Sequence, residues 1–221
     1  MLLAVDTSTA QMGLALFDGS QVISEYAWRS GHRHTVELAP AVADLLTRCG
    51  LTINDVNALG VALGPGSFTS LRVGLAFVKG LALARHIPLI GIPTLNILAS
   101  AQPVSKLPLA IAIQAGRGRF ALGWYKSSRK GWQAQGEARV VTLEALLAEV
   151  QSPTVICGEF PAEVRQVISA NENARLATPA SSVRRPAVLA ELAWARWQNG
   201  EVDDEASLAP IYLHTAEPIP A

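Results

Sequence analysis

Short apolar runs of strand length alternate along the chain with longer stretches in which apolar residues return every three or four positions. Residues 2–6, LLAVD, form an apolar run that ends in an acid and is followed by the hydroxyl cluster Thr7, Ser8 and Thr9. The segment MGLALFDGSQVISEYAW reads as two strands turning at Asp18-Gly19, a pair that suits a tight hairpin, so a three-stranded meander is expected at the start. From Thr35 to Cys49, Leu38, Val42, Leu45 and Cys49 recur at helical spacing, which predicts an amphipathic helix with Thr35 as its cap. TIND at 52–55 has the spacing of a capping box, and ALGVALG from residue 58 reads as a buried strand. The loop GPGSFTS then leads into a second helix that ends near His86, before Pro88.

PLIGI is a further strand and TLNILASA a short helix stopping at Pro103. A second series follows: LPLAIAIQ, a turn at AGRGR, a return through FALGWYKS and WQAQGEARVV, the helix LEALLAEV, the strand TVICG, a helix from about Pro161, and PAVLAELAWARWQ from Pro186. A strand-rich opening is thus repeated once, each copy followed by helices. Such a pattern predicts two related α/β lobes, 1–100 and 101–221, with the boundary between Leu95 and Leu107. The tail LAPIYLHTAEPIPA is expected to lie extended across a lobe.

The second helix is unusual in having almost no polar side. Between Arg72 and Arg85, Lys79 is its only charged residue, and Arg72, Ala76, Gly80 and Ala84 form a stripe of small residues below an arginine. Burial within the chain and cover by a partner helix both satisfy that pattern. In the loop before it, Gly64 and Gly66 permit positive φ, Pro65 fixes its own, and Ser67 or Thr69 can cap the first turn. A structural turn and an anion contact at the helix start remain equally compatible with those residues. A P-loop is excluded, because no Lys follows the second glycine at the required place.

Composition sharpens the partner reading. Charged residues make up 16% of the 221 positions, against about 25% in ordinary soluble domains, and apolar residues make up 50%. The net charge of zero supplies no basic field for nucleic acid, so Arg117, Arg119, Arg184 and Arg185 read as scattered surface arginines. Cys49 and Cys157 lie far apart without CxxC spacing, and the start at Met1 shows no secretory leader, which together suggest a reduced, cytoplasmic protein. The apolar stretch from Val73 to Ala84 is too short for the roughly 20 residues a bilayer requires, so no membrane span is expected.

Catalytic chemistry is thinly represented. No Asp occurs between Asp55 and Asp203; Glu137, Glu144, Glu149, Glu163 and Glu172 look solvated, and only Glu159 stands at a strand end. His32, His34, His86 and His214 have no metal-binding spacing and read as exposed; no GxSxG elbow is present. No catalytic residue and no metal ligand is therefore assigned.

AVDTSTAQMGLALFDG, RHTVELAP, LGPGSFTSLRVGLAFVKGLALA, IPLIGIPTL and a late PIYL together resemble the bacterial TsaB (YeaZ) family, closely over the first hundred residues and loosely beyond. The resemblance implies a two-lobed actin-like, Hsp70-like ATPase (ASKHA) fold without an active centre of its own. It further implies a scaffold that pairs with the catalytic subunit TsaD, and with the ATPase TsaE, to transfer threonylcarbamoyl to adenosine 37 of tRNA. The tRNA would be met only through the complex, and the isolated chain would form a homodimer. No cofactor of its own is implied; ATP or ADP at the subunit interface is the nucleotide expectation. Asp6, Thr7, Ser8 and Thr9 match the first phosphate loop, and Gly64, Gly66, Ser67 and Thr69 the loop opening the second helix. The helices Thr35–Cys49 and Thr69–Arg85 match those that form the subunit bundle, which makes Leu38, Val42, Leu45, Arg72, Ala76, Gly80, Leu83 and Ala84 the implied partner interface. Two stretches depart from the family: QAGRGRF at 114–120, where a DAR-type turn is common, and His214, where Arg is common. The rival expectation is a self-sufficient enzyme of the same fold, a metallopeptidase or small-molecule kinase.

Overall fold

The computed structural model describes residues 1–31, 33–116 and 118–213. The chain forms two compact units, Met1–Ile97 with Arg184–Ile211, and Leu98–Val183 with the described residues from Tyr212.

In the first unit, β1 (Leu2–Asp6), β2 (Gln11–Phe17) and β3 (Val22–Arg29) form the expected meander, and β4 (Ala58–Ala62) and β5 (Leu89–Ile92) extend it in the order β3-β2-β1-β4-β5. β1 runs antiparallel to β2 and parallel to β4, with Ala4 opposite both Ala15 and Gly60. β1 and β4 are buried along their whole length because helices cover both faces of the sheet, so they read as continuous apolar runs rather than alternating ones. On one face Leu3, Val5, Leu14, Leu16, Leu59 and Val61 pack against α1 (His34–Arg48) and α2 (Phe68–Arg85). On the other, Leu2, Ala4, Ala15, Ala58 and Ile90 meet Leu189, Ala190 and Ala193. These three belong to the last helix, α6 (Pro186–Gln198).

That packing corrects the expected lobe boundary. The first unit ends near the expected position, within α3 (Thr94–Ser100), but Arg184–Ile211 returns to it instead of completing a lobe 101–221. Of the tail, Leu208–Ile211 lies on the first unit, where the Ile211 amide donates to the Leu63 carbonyl at 2.8 Å, and Tyr212 and Leu213 are grouped with the second unit. The rest of the tail lies outside the described residues.

The second unit contains β6 (Leu109–Gln114), β7 (Arg119–Ser128), β8 (Gly131–Ala134), β9 (Arg139–Thr142), α4 (Leu143–Glu149), β10 (Thr154–Gly158), α5 (Ala162–Ser169) and β11 (Ala174–Leu176). Its sheet order is β11-β10-β6-β7-β8, and β9 also pairs with β7. The second expected return stretch, WQAQGEARVV, is divided at Gly136, which lies between β8 and β9 with a φ of +78°. β6 is antiparallel to β7 and parallel to β10, as β1 is to β2 and β4, so each unit is an antiparallel meander extended by parallel crossovers.

Helix starts differ from expectation in detail. The capping box at Thr52 and Asp55 is formed around the 3₁₀ turn Ile53–Asp55. Thr35 lies inside α1, whose N-cap is Arg33, and Ser67 occupies the N-cap of α2 without a side-chain capping bond. Leu45 is 0% exposed and sits in the core between α1 and the sheet. Leu45→Ala is expected to lower unfolding stability by about 2–5 kcal/mol, the usual cost of deleting buried methyl groups and leaving a cavity. Chemical denaturation of the purified variant measures it.

Candidate functional site

The first unit brings the loop after β1 and the loop before α2 into contact. Asp6, at the end of β1, is 2% exposed, and both its carboxylate oxygens are engaged. Oδ1 accepts from the Ser8 amide at 2.8 Å and the Ser8 hydroxyl at 2.6 Å; Oδ2 accepts from Arg184 Nε at 2.7 Å. Arg184 also donates through Nη2 to Thr9 Oγ1 at 3.0 Å and to the Gln11 carbonyl at 2.9 Å. The pair is buried on both sides, so removing either partner would strand a charge in the core, at a cost of about 3–5 kcal/mol.

The glycine loop closes on this cluster. The Ser67 amide donates to the Ser8 carbonyl at 2.7 Å, and Thr7 Oγ1 donates to the Ser70 carbonyl at 2.7 Å. A Cβ on Gly66 would lie 2.2 Å from the Ser8 carbonyl oxygen, and one on Gly74 2.2 Å from Thr7 Oγ1; the close approach of the two segments needs both glycines. Gly64, at φ +106°, presents its amide to Thr94 Oγ1 at 2.9 Å and its carbonyl to the Thr94 amide at 2.7 Å. Asp6, Thr7, Ser8, Gly64, Gly66 and Ser67 therefore lie together, with Thr9 joined through Arg184. Their polar groups named here are bonded to one another and to Arg184, Ser70 and Thr94. Thr69 is exposed and faces a different place, the helical groove described next.

Between the first turns of α1 and α2 lies a groove of about 500 Å³, lined by Thr35, Ala39, Phe68, Thr69, Arg72 and Ala76 among others. Phe68 is 52% exposed, and the Arg72 guanidinium stacks 3.7 Å from its ring centroid. Arg72, Ala76, Gly80, Leu83 and Ala84 are all exposed, so the small-residue stripe is an outward face of α2; its inward face is Leu71, Gly74, Leu75, Val78 and Ala82. Leu38, Val42 and Leu45, assigned to the same interface, are 2%, 4% and 0% exposed and belong to the chain's own core; of the three, Leu38 alone also lines the groove. The face α1 presents outward is instead Thr35, Val36, Ala39 and Ala43.

Arg184 and Thr94 are the site residues that sequence reasoning missed. Arg184 had been grouped with surface arginines, yet it is 2% exposed, and Arg185 forms an ion pair with Glu25. The signal was Asp6 itself, because an acid ending a fully buried strand requires a counter-charge. His34 is likewise not an exposed loop residue: it is 3% exposed, and its Nε2 lies 2.8 Å from the Thr9 carbonyl, to which it donates. His32, Arg117 and His214 lie outside the described residues.

In the second unit Glu149 accepts from Trp124 Nε1 at 2.9 Å and Arg139 at 2.5 Å, so it is structural rather than simply solvated. Glu159 is half-buried beyond the end of β10. Among the described residues no group of His, Cys, Asp and Glu is placed to hold a metal ion, and no helix is long and apolar enough to cross a membrane.

The repeated meander-and-crossover units define the class of protein: an α/β chain of two units, each a mixed sheet with flanking helices. Comparison with known proteins narrows it. The model of the family described as TsaD, tRNA N6-adenosine threonylcarbamoyltransferase, matches residues 25–182. The tRNA threonylcarbamoyladenosine biosynthesis protein TsaB of Bacillus subtilis is 31% identical over 222 residues, covering 98% of this chain and 95% of that protein. Its Escherichia coli namesake is 31% identical over 153 residues, covering 68% of this chain and 66% of that protein. A Pseudomonas aeruginosa crystal structure, described as an uncharacterized protein with similarity to peptidase YEAZ, superposes with a TM-score of 0.79 at 26% identity over 96% of this chain and 99% of that one. The chain belongs to the TsaB (YeaZ) family, with a TsaD-type domain across most of its length.

Burial pushes the Cys157 thiol up to about 11, only partly offset by the Ser182 hydroxyl 3.8 Å from its sulfur. At about pH 8 its thiolate is scarce and shielded, so a thiol reagent is expected to modify Cys49 alone in the folded chain and both cysteines after denaturation. Rapid labelling of Cys157 in the native protein would contradict the burial.

Proposed function

We propose that this chain is a non-catalytic subunit of tRNA threonylcarbamoyladenosine biosynthesis, which pairs with TsaD through the outward faces of α1 and α2 and thereby supports transfer of threonylcarbamoyl to adenosine 37. The observation that carries the reading is the exposed stripe Arg72, Ala76, Gly80, Leu83 and Ala84 beside an apolar groove. Small side chains let a second helix approach closely, and a face with so little charge favours cover over solvent. The same face would serve a homodimer when the chain is alone. TsaE is the further protein partner, tRNA is met through the complex, and the setting is cytoplasmic.

The non-catalytic part rests on Asp6, whose carboxylate is neutralised by Arg184, and on the lack of any Asp between Asp55 and Asp203. The β1 loop does not fit a free-standing phosphate site, since Thr7, Ser8 and the Ser67 amide are hydrogen-bonded within the chain. ATP or ADP is accordingly placed in the proposal at the subunit interface, outside that loop. The enzyme alternative, a metallopeptidase or small-molecule kinase, would need acids or histidines brought together elsewhere.

Gly80→Arg tests the interface. A Cβ at Gly80 meets nothing within 4 Å, and arginine is the better helix former, so the variant should fold as well as the parent. Light scattering and calorimetry with the TsaD of the same organism should show pairing weakened at least about tenfold, as for a bulky charge at the centre of a close interface. Undiminished pairing would remove α2 from the interface.

A further inference from the structure

The chain leaves the first unit after Ile97 and re-enters it at Arg184. Both passages are fastened beside one carboxylate, by residues that all belong to the first unit. On the outgoing side the Gly64 amide donates to Thr94 Oγ1 at 2.9 Å, Thr94 Oγ1 lies 2.8 Å from Ser8 Oγ, and Ser8 Oγ donates to Asp6 Oδ1 at 2.6 Å. An ionised carboxylate only accepts, so the protons of this chain run one way: Thr94 donates to Ser8, and Ser8 to Asp6. On the returning side Arg184 binds the other oxygen, Oδ2, and continues to Thr9 and Gln11. Thr94 is 0% and Arg184 2% exposed, so neither fastening is diluted by solvent.

We infer that the Asp6 carboxylate is a clasp: it ties the outgoing segment 94–97 and the returning segment 184–187 to the end of β1, and so closes the first unit across the inserted residues. On the outgoing side the Thr94 amide also donates to the Gly64 carbonyl at 2.7 Å and Ile97 is core, so the clasp adds to those contacts; on the returning side less is duplicated. α6 is held along its middle by Leu189, Ala190 and Ala193, while its start has no side-chain cap. The second tie at that start, Glu25 to the Ala187 amide and to Arg185, involves an exposed arginine and is weaker for it. The two segments share one anion but are fastened at different oxygens of it, so loss of the carboxylate frees both while loss of one fastening frees its own segment, in each case below the free energy of global unfolding.

Amide hydrogen exchange on the full chain tests this. In the double variant Asp6→Asn with Arg184→Met no buried charge is stranded, so the core amides of Val61 and Val78 should exchange as in the parent. Segments 94–97 and 184–189 should both exchange roughly tenfold faster or more, the loss expected for charge-assisted hydrogen bonds. Arg184→Lys, which keeps a cation opposite Asp6 but not the bonds to Thr9 and Gln11, should loosen 184–189 alone. Parent-like exchange at both segments in the double variant, or loosening of only one of them there, would overturn the clasp. Loosening of 94–97 in Arg184→Lys would do so as well.

Discussion

A carboxylate that ends a fully buried strand must find a counter-charge, and Asp6 finds it 178 residues away in Arg184. Much of the first unit is arranged around that pair. Ser8 and Thr94 complete the shell of the acid; Gly66 and Gly74 let the start of α2 come down on Thr7 and Ser8; Thr9 receives both Arg184 and His34 at the start of α1. The two helices that carry the proposed interface are therefore positioned from the same loop. A cluster that in sequence resembles a phosphate loop acts here as a buried polar junction, with its donors and acceptors directed at other parts of the chain.

α2 expresses the other half of the design. Its inward face is ordinary core, and its outward face combines an arginine stacked on an exposed phenylalanine with a run of alanine, glycine and leucine. Neither face has the charge that a solvated helix usually presents, which is why the helix looked apolar on every side. Core on one side and, in the function proposed, a partner on the other reconciles the two readings that the sequence left open.

The local elements were legible because their signals are local. Short apolar runs and Asp18-Gly19 marked the meander, helical spacing located α1 and α2, and Thr52 with Asp55 formed the capping box. Orientation was not legible for α1: periodicity shows that Leu38, Val42 and Leu45 share a face, but not that the face looks inward. Three residues sufficed for β11, too few to carry a pattern. The return of α6 to the first sheet and the burial of Arg184 depend on contacts across most of the chain, and an Arg-Arg-Pro segment carries no local mark of either.

The central claim, that the loop at Asp6 is closed from within and the chain acts through its helical face, is tested most directly by titrating the isolated protein with magnesium and ATP in a calorimeter while following hydrolysis. The account predicts no magnesium-dependent saturable binding at the loop and no turnover above background. Magnesium-dependent binding that disappears in Asp6→Asn, or hydrolysis by the chain alone, would contradict it and return the protein to the enzymes of its fold.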